Sequence, residues 1–428
     1  MKMPSLPALS RSLFTAGFLL SGFAPASHAA AVNWTGTTGN WSDATWSGGV
    51  APDGQGAEVA ITTAGASVDL VNTSRTVGAL TIGNTTAVNL ISSGTGGLIF
   101  HAASGNATLT MATVNSNNTI AAPITLTSSL DVTVGATTST RRLILNGKVS
   151  GAGAITIKNS VGKLELSNSA NDFSGGVTIE SGGSLAVASG GAYLGTGNLT
   201  IKGGNIQTVS ASSSLNIGGT QIWAGNFTTS TGSGSLNMGT TDVNLNGGVR
   251  TVTLNTSANR NTTVGGVISN GGLAVSNSGT FVSSLVLTGA NIYAGGSTVN
   301  SGTLATSTTG TFGTGNVTVA AGAFLTEGNH ASFGDLATLT FASTSNAASI
   351  NLNFAGADTL GAVYDSISST YLAAGTYTAG QLNSYFSSSV FAGTGSLTIA
   401  AIPEPSTHAA IFGALALVAA GISRRRRA

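Results

Sequence analysis

An all-β solenoid, in which short strands stack as parallel coils, is the fold this sequence predicts. Three observations point to it. Apolar residues recur at every second position in runs such as Leu80-Thr-Ile82, Val132-Thr-Val134, Ile155-Thr-Ile157 and Leu199-Thr-Ile201, the period of a strand with one buried face. Clusters of Gly, Asn and Ser separate the runs about every 8–14 residues and supply turns. About 50 residues are also duplicated: ANDFSGGVTI (170–179) returns at a spacing of 120 as ANIYAGGSTV (290–299), and downstream GTGNLTI (195–201) returns as GTGNVTV (313–319). A short strand with one apolar face is not stable alone, so such repeats stack and bury a continuous interior.

Composition agrees. Charged residues make up 7% of the 428, far below the roughly 25% of an ordinary domain. Glycine occurs 61 times and hydrophobic residues reach 41%, which excludes charge-driven disorder. The absence of cysteine removes disulfides, thiolate metal sites and a cysteine nucleophile. The formal charge of +1 conceals an asymmetry. Six of the 15 basic residues (Lys2, Arg11 and Arg424 to Arg427) and one of the 14 acids (Glu404) lie in the two terminal segments. The body therefore holds nine bases against thirteen acids, a net charge of −4. Nothing there suits a phosphate backbone, so no nucleic-acid partner is expected.

Taken in order, residues 1–31 form a secretory signal peptide. Lys2 and Arg11 are its basic region, Leu13 to Phe23 its apolar region, and small residues at 26–30 favour cleavage after Ala29 or Ala31. The expected early partners are the Sec translocon and signal peptidase. Residues 32–58 hold three of the four tryptophans, Trp34, Trp41 and Trp46. As an N-terminal cap they would plug the open end of the core, which is the favoured reading. As a sugar-stacking platform they would be glycan contacts. Residues 59–322 are the solenoid, with repeat units at 151–204 and 270–322. Gly175, Gly176, Gly295 and Gly296 are expected at turns that crowd a side chain or need positive φ, and Phe173 and Tyr293 inside those corners. Residues 205–269 lack the signature but keep the alternation, as degenerate coils. At roughly 20–25 residues per coil, the body would make about 15–18 coils. No helical periodicity is evident between the signal peptide and the tail. Residues 323–400, richer in Ala, Phe and Tyr, are expected to be a closing β cap.

The tail has a different physics. Pro403 and Pro405 lack backbone N–H groups and make a stiff, exposed entry around Glu404. Residues 408–423 are uncharged and apolar, a single transmembrane helix of about 16 residues, near the lower limit for a span. Arg424, Arg425, Arg426 and Arg427 hold the following end on the cytoplasmic side, so the body should lie outside the inner membrane.

The triplet Pro403-Glu404-Pro405, the apolar segment and the arginine cluster over 402–428 resemble the PEP-CTERM sorting signal of Gram-negative bacteria. That resemblance implies a transient partner, the membrane protease exosortase, cutting near the triplet, and a tethered precursor that reaches the cell surface or medium. The two repeat units resemble the autotransporter-associated β-strand repeat, with Phe173 and Tyr293 at its aromatic position. Gly175-Gly176 and Gly295-Gly296 match its glycine pair, while Ile292 and Ala294 depart from it. This second resemblance implies a right-handed parallel β-helix or related solenoid. A full autotransporter would close with an outer-membrane barrel of about 12 strands, for which 323–400 is too short.

Catalytic chemistry needs converging polar groups. His101 and His330 lie in unrelated segments, and Asp242, Asp335, Asp358 and Asp365 are dispersed. Arg141, Arg142, Lys148, Lys158 and Lys163 form one basic cluster, read as solvated turn positions. No metal or cofactor motif is present. The expectation is a non-enzymatic surface or extracellular-matrix solenoid associated with exopolysaccharide or biofilm. A glycan-binding adhesin or a β-helix polysaccharide-degrading enzyme is the alternative.

Overall fold

The computed structural model describes residues 30–400 apart from 211 and 233. The signal peptide up to Ala29, the Pro403-Glu404-Pro405 triplet, the 408–423 segment and Arg424 to Arg427 lie outside those residues.

The chain winds through three sheet faces. The first has 11 strands, from Val32–Asn33 to Ile268–Ser269, and the second has 16, from Thr38–Asn40 to Thr370–Tyr371. The third consists of a four-stranded sheet, Arg75–Val77 to Val149–Gly151, and a nine-stranded sheet, Ala192–Tyr193 to Phe391–Gly393. Pairing in these faces is parallel, except where Ala362–Asp365 meets Thr370–Tyr371 at the end of the second. That face thus stacks fifteen parallel strands, or fourteen turns of a β-solenoid. Partners on neighbouring coils lie one turn apart in sequence, as in Leu130 with Ile155, Val177 with Leu199 and Ser297 with Val317. The turn count is just under expectation because the last residues do not coil.

The alternation explains the core. In Ile155–Ile157, Val177–Ile179 and Leu199–Ile201 the outer residues are buried and the central Thr is half-buried. Successive coils align like with like, so Leu143, Leu164, Leu185 and Ile206 form one fully buried ladder. Each such side chain contributes about 1.5–3 kcal/mol of burial. Residues 205–269 continue the same three faces, but polar residues enter their apolar interior rows. Thr208, Thr231 and Thr256 take inward positions, and buried Thr229 pairs with Thr262 at 3.0 Å.

The two repeat units have the same local structure at different corners. Residues 170–176 occupy the break in the third face, and their strand Val177–Ile179 joins the first. Residues 290–296 follow the last strand of the first face, and Ser297–Val299 joins the second. A spacing of 120 therefore advances the motif by five coils and one face. Its bonds are unchanged by the move. Asn171 accepts from the Val149 amide and donates to the Tyr193 carbonyl; Asn291 does the same with Ile268 and Thr311. Gly176 and Gly296 have φ of 78° and 80°, and a Cβ on either would strike the carbonyl of Asn198 or Asn316 on the next coil. Gly175 and Gly295 are closed off by backbone of the preceding coil. Phe173 and Tyr293 are fully buried inside these corners.

One difference between the units is compensated. Tyr293 adds a buried hydroxyl, which meets Ser297 Oγ at 2.6 Å, and Ser297 Oγ donates to the Phe312 carbonyl at 3.0 Å. In the first unit Phe173 has no hydroxyl, and the position of Ser297 is held by Val177. Burial raises the Tyr293 pKa, with Ser297 opposing, so the hydroxyl stays neutral and bonded.

The closing region differs from expectation in two ways. Coiling continues past residue 322: strands Thr338–Phe341 and Ala362–Asp365 extend the second face, and Phe324–Glu327 and Ile350–Leu352 the third. After residue 365 the chain leaves the second face through the antiparallel strands Thr370–Tyr371 and Gly375–Thr378, while Phe391–Gly393 still adds in parallel to the third. A helix also forms, Ala379–Phe386, where none was expected. Thr378 and Gln381 make a reciprocal capping box at its start, and Ala379, Leu382 and Phe386 bury its inner face. Eight residues are too few for periodicity to reveal; the Thr-x-x-Gln spacing was the available signal.

Two stability measurements check these corners. Gly176→Val should cost about 2 kcal/mol or more, from positive φ and the blocked Cβ, whereas Thr178→Val should stay within about 0.5 kcal/mol. Equal melting temperatures would refute the corner's role. Ser297→Val alone should cost about 1–3 kcal/mol by stranding the Tyr293 hydroxyl. Adding Tyr293→Phe, which recreates the pairing of the first unit, should recover most of it. A strictly additive double mutant would contradict this coupling.

Candidate functional site

The tryptophan cluster closes the first coil. Trp34 and Trp46 pack edge to face with centroids 5.0 Å apart, and Trp41 lies 4.8 Å from Trp46. Trp41 Nε1 donates to the Pro52 carbonyl and Trp46 Nε1 to the Trp41 carbonyl. All three are 1–3% exposed and belong to the continuous core. With no ring face open to solvent, they cannot stack on a pyranose, and the sugar-platform reading is withdrawn.

The dispersed acids mostly serve backbone. Asp242 accepts from the Val267 amide, and Asp358 from those of Ser332 and Phe333. Asp365 accepts from the amides of Ser343, Ile367 and Ser368 and from the Ser368 hydroxyl. Burial acts to raise its pKa, but these donors outweigh it and hold the carboxyl down at about 2. His101 and His330 are not brought together with these acids in any grouping that could hold a metal among the described residues.

Sequence reasoning missed one buried pair. Glu327 ends strand Phe324–Glu327, and alternation places it inward with Leu325. It is fully buried, and neither carboxyl oxygen has a partner of standard hydrogen-bond geometry. Asp358, itself 1% exposed, is its neighbour. Burial, then proton sharing with Asp358 and the charge of that carboxyl, push the Glu327 pKa well above the ordinary glutamate range. The inward position of Glu327 in the FLTE run was the legible signal.

The basic cluster proves mostly paired. Lys148 meets Asp172 at 2.6 Å, Lys158 meets Asp131 at 3.2 Å and Arg142 meets Glu165 at 2.5 Å. Arg141 donates to the Asn115 side-chain carbonyl. Lys163 differs: every residue of its strand, Lys163–Leu166, is buried, and Lys163 is 2% exposed. Burial, then the charge of Arg142, lower its pKa. It lines a groove of about 520 Å³ beside the second face, together with residues of later coils such as Gln207 and Asn255. A second groove of about 450 Å³ lies around Tyr193, Asn216 and Asn237.

Comparison with known families completes the picture. The passenger-associated-transport-repeat model matches residues 157–187 and 283–305, so the described body is a β-solenoid carrying repeats of the autotransporter-associated type. A PEP-CTERM protein-sorting motif matches residues 401–427. The chain thus carries a PEP-CTERM sorting motif after a β-solenoid body, and these features indicate an exported protein, sorted to the cell surface or the medium, for which the motif implies exosortase as the sorting enzyme. No curated protein and no solved structure matches the chain. Among the described residues no helix is long and apolar enough to cross a membrane; the 408–423 segment lies outside them.

The carboxyl pair makes a signed prediction. Glu327 holds its proton in the folded state at pH values where the unfolded chain has released it. Its stabilising contribution is thus complete below the ordinary glutamate range and is lost as pH rises toward its raised folded pKa. Hydrogen exchange of residues 324–360 should accelerate over that interval in the native protein. Glu327→Gln should flatten the dependence and protect the region at neutral pH. An unchanged pH profile in that variant would remove Glu327 as its source.

Proposed function

We propose that this protein is a non-enzymatic structural component of the cell surface or extracellular matrix, held there by association with exopolysaccharide. The observation that carries this reading is the sorting motif at 401–427 placed directly after a β-solenoid body. A stack with parallel coils, a plugged first coil and few charges suits an extended, protease-resistant scaffold. In the proposed route the Sec translocon exports the precursor and signal peptidase removes 1–29 or 1–31. The 408–423 segment tethers the body to the inner membrane, with Arg424 to Arg427 on the cytoplasmic side. Exosortase then cuts near Pro403-Glu404-Pro405. A glycan-binding adhesin is the second reading, favoured by the polar groove that contains Lys163.

The test is intact-mass measurement of protein recovered from the surface and medium. It should lack 1–29 or 1–31 and most of 403–428, leaving a body of charge near −4. A released species that still carries Arg424 to Arg427 would overturn the processing step, as would normal release of a Glu404→Ala variant. Digestion of the cells' exopolymer should release the mature body from the surface; full retention would overturn the matrix association.

A further inference from the structure

The geometry points to a binding site for an acidic polysaccharide in the groove beside the second face, where Lys163 pairs with a carboxylate of the polymer. This rests on the matrix association proposed above and assigns it a place and a polymer class.

The argument begins with the missing anion. Of the five basic residues between 141 and 163, three are ion-paired and Arg141 has an amide acceptor. Lys163 has neither carboxylate nor other acceptor among the described residues, although it is almost wholly buried. An ammonium enclosed without an anion is costly, and replacing the lysine by an apolar residue would be the simpler solution. Here it instead faces an open groove, where a ligand can supply the anion. Burial and then the positive charge of Arg142 lower the Lys163 pKa, and an anion in the groove would oppose both.

The rest of the groove specifies the kind of anion. From Lys163, the lining continues through Asn205, Gln207, Ser230 and Asn255 on later strands of the same face. Five successive strands are spanned from Lys163–Leu166 to Val249–Thr256, about 19 Å at the inter-strand spacing. Amide and hydroxyl groups repeated at that spacing suit a polyhydroxylated chain laid along the stack. A small anion would occupy only the lysine end. A peptide would need apolar pockets, and Val161 is the one large apolar side chain in the lining. A nucleic acid would need several cations, and the groove has one. The body's negative charge further disfavours a dense polyanion, while one buried lysine suits sparse carboxylates along an uncharged backbone.

Calorimetry on the mature released protein tests this with hyaluronan, whose carboxylates alternate with neutral sugars, neutral dextran and monomeric glucuronate. Hyaluronan should bind at least about tenfold more tightly than either of the others. Lys163→Gln should weaken it about tenfold or more, with Lys163→Arg largely retained. Asn255 is exposed, so Asn255→Glu leaves the fold intact and should also weaken the acidic polymer by repulsion. Equal binding of dextran and hyaluronan, or of monomer and polymer, would overturn the assignment. So would unchanged affinity in a folded Lys163→Gln protein, or in Asn255→Glu if the first variant fails to fold. Absence of polymer binding in a protein still released by exopolymer digestion would refute the groove while leaving matrix association intact. Retention unaffected by digestion would instead refute that association.

Discussion

The hydrogen-bonded pitch between coils governs this molecule. Parallel strands stack at about 4.8 Å, and every corner must repeat at that spacing as well as every strand. A corner has no ladder to hold it, so backbone approaches backbone there directly. Glycines answer this constraint: Gly175 and Gly197, or Gly295 and Gly315, would drive a Cβ into main-chain atoms of the neighbouring coil. The asparagines answer it from the other side. Asn171 and Asn291 take the place of a strand where the sheet is interrupted, linking one coil's amide to another's carbonyl. The high glycine content and low charge follow from this geometry before any function is considered.

Because the constraint is local, the repeat is free to move around the solenoid. The first unit breaks the third face and the second follows the end of the first face, yet both keep the same bonds, φ values and buried aromatic. A duplicated segment therefore specifies a corner, not a position in a sheet. The exchange of Phe173 and Val177 for Tyr293 and Ser297 shows how far that local logic extends. The added hydroxyl would be stranded without the added serine.

This also explains what could be read in advance. Period-two alternation and paired turn residues revealed the solenoid, because one-sided burial writes itself directly into sequence. The location of the coils' end could not be read, since Val317–Val319 and Ala362–Asp365 have the same alternation inside and outside the repeat units. The helix Ala379–Phe386 is specified by a cap and by packing of Phe386 on Phe391 and on Phe341, which is distant in sequence. Lys163 was visible as a charge, but its burial depends on which turns fold over it. Tryptophan is ambiguous in the same way: Trp34, Trp41 and Trp46 could have faced solvent, and only the closed end of the stack decides that they do not.

A solenoid has two ends, and each must stop its own propagation. An uncovered end offers unpaired amides and carbonyls to another chain. At the first end three buried tryptophans fill the core, and the isolated antiparallel bridge between Trp34 and Trp46 breaks the parallel pattern. At the other end the chain reverses direction twice, where Thr370–Tyr371 and Gly375–Thr378 pair antiparallel, and a capped helix covers Phe341 and Phe391. Both devices halt stacking without charge, in a body that has little to spare. That leaves the side faces as the surface available for recognition, and there, among the described residues, Lys163 is the buried lysine without a partner, set beside an otherwise neutral polar ladder.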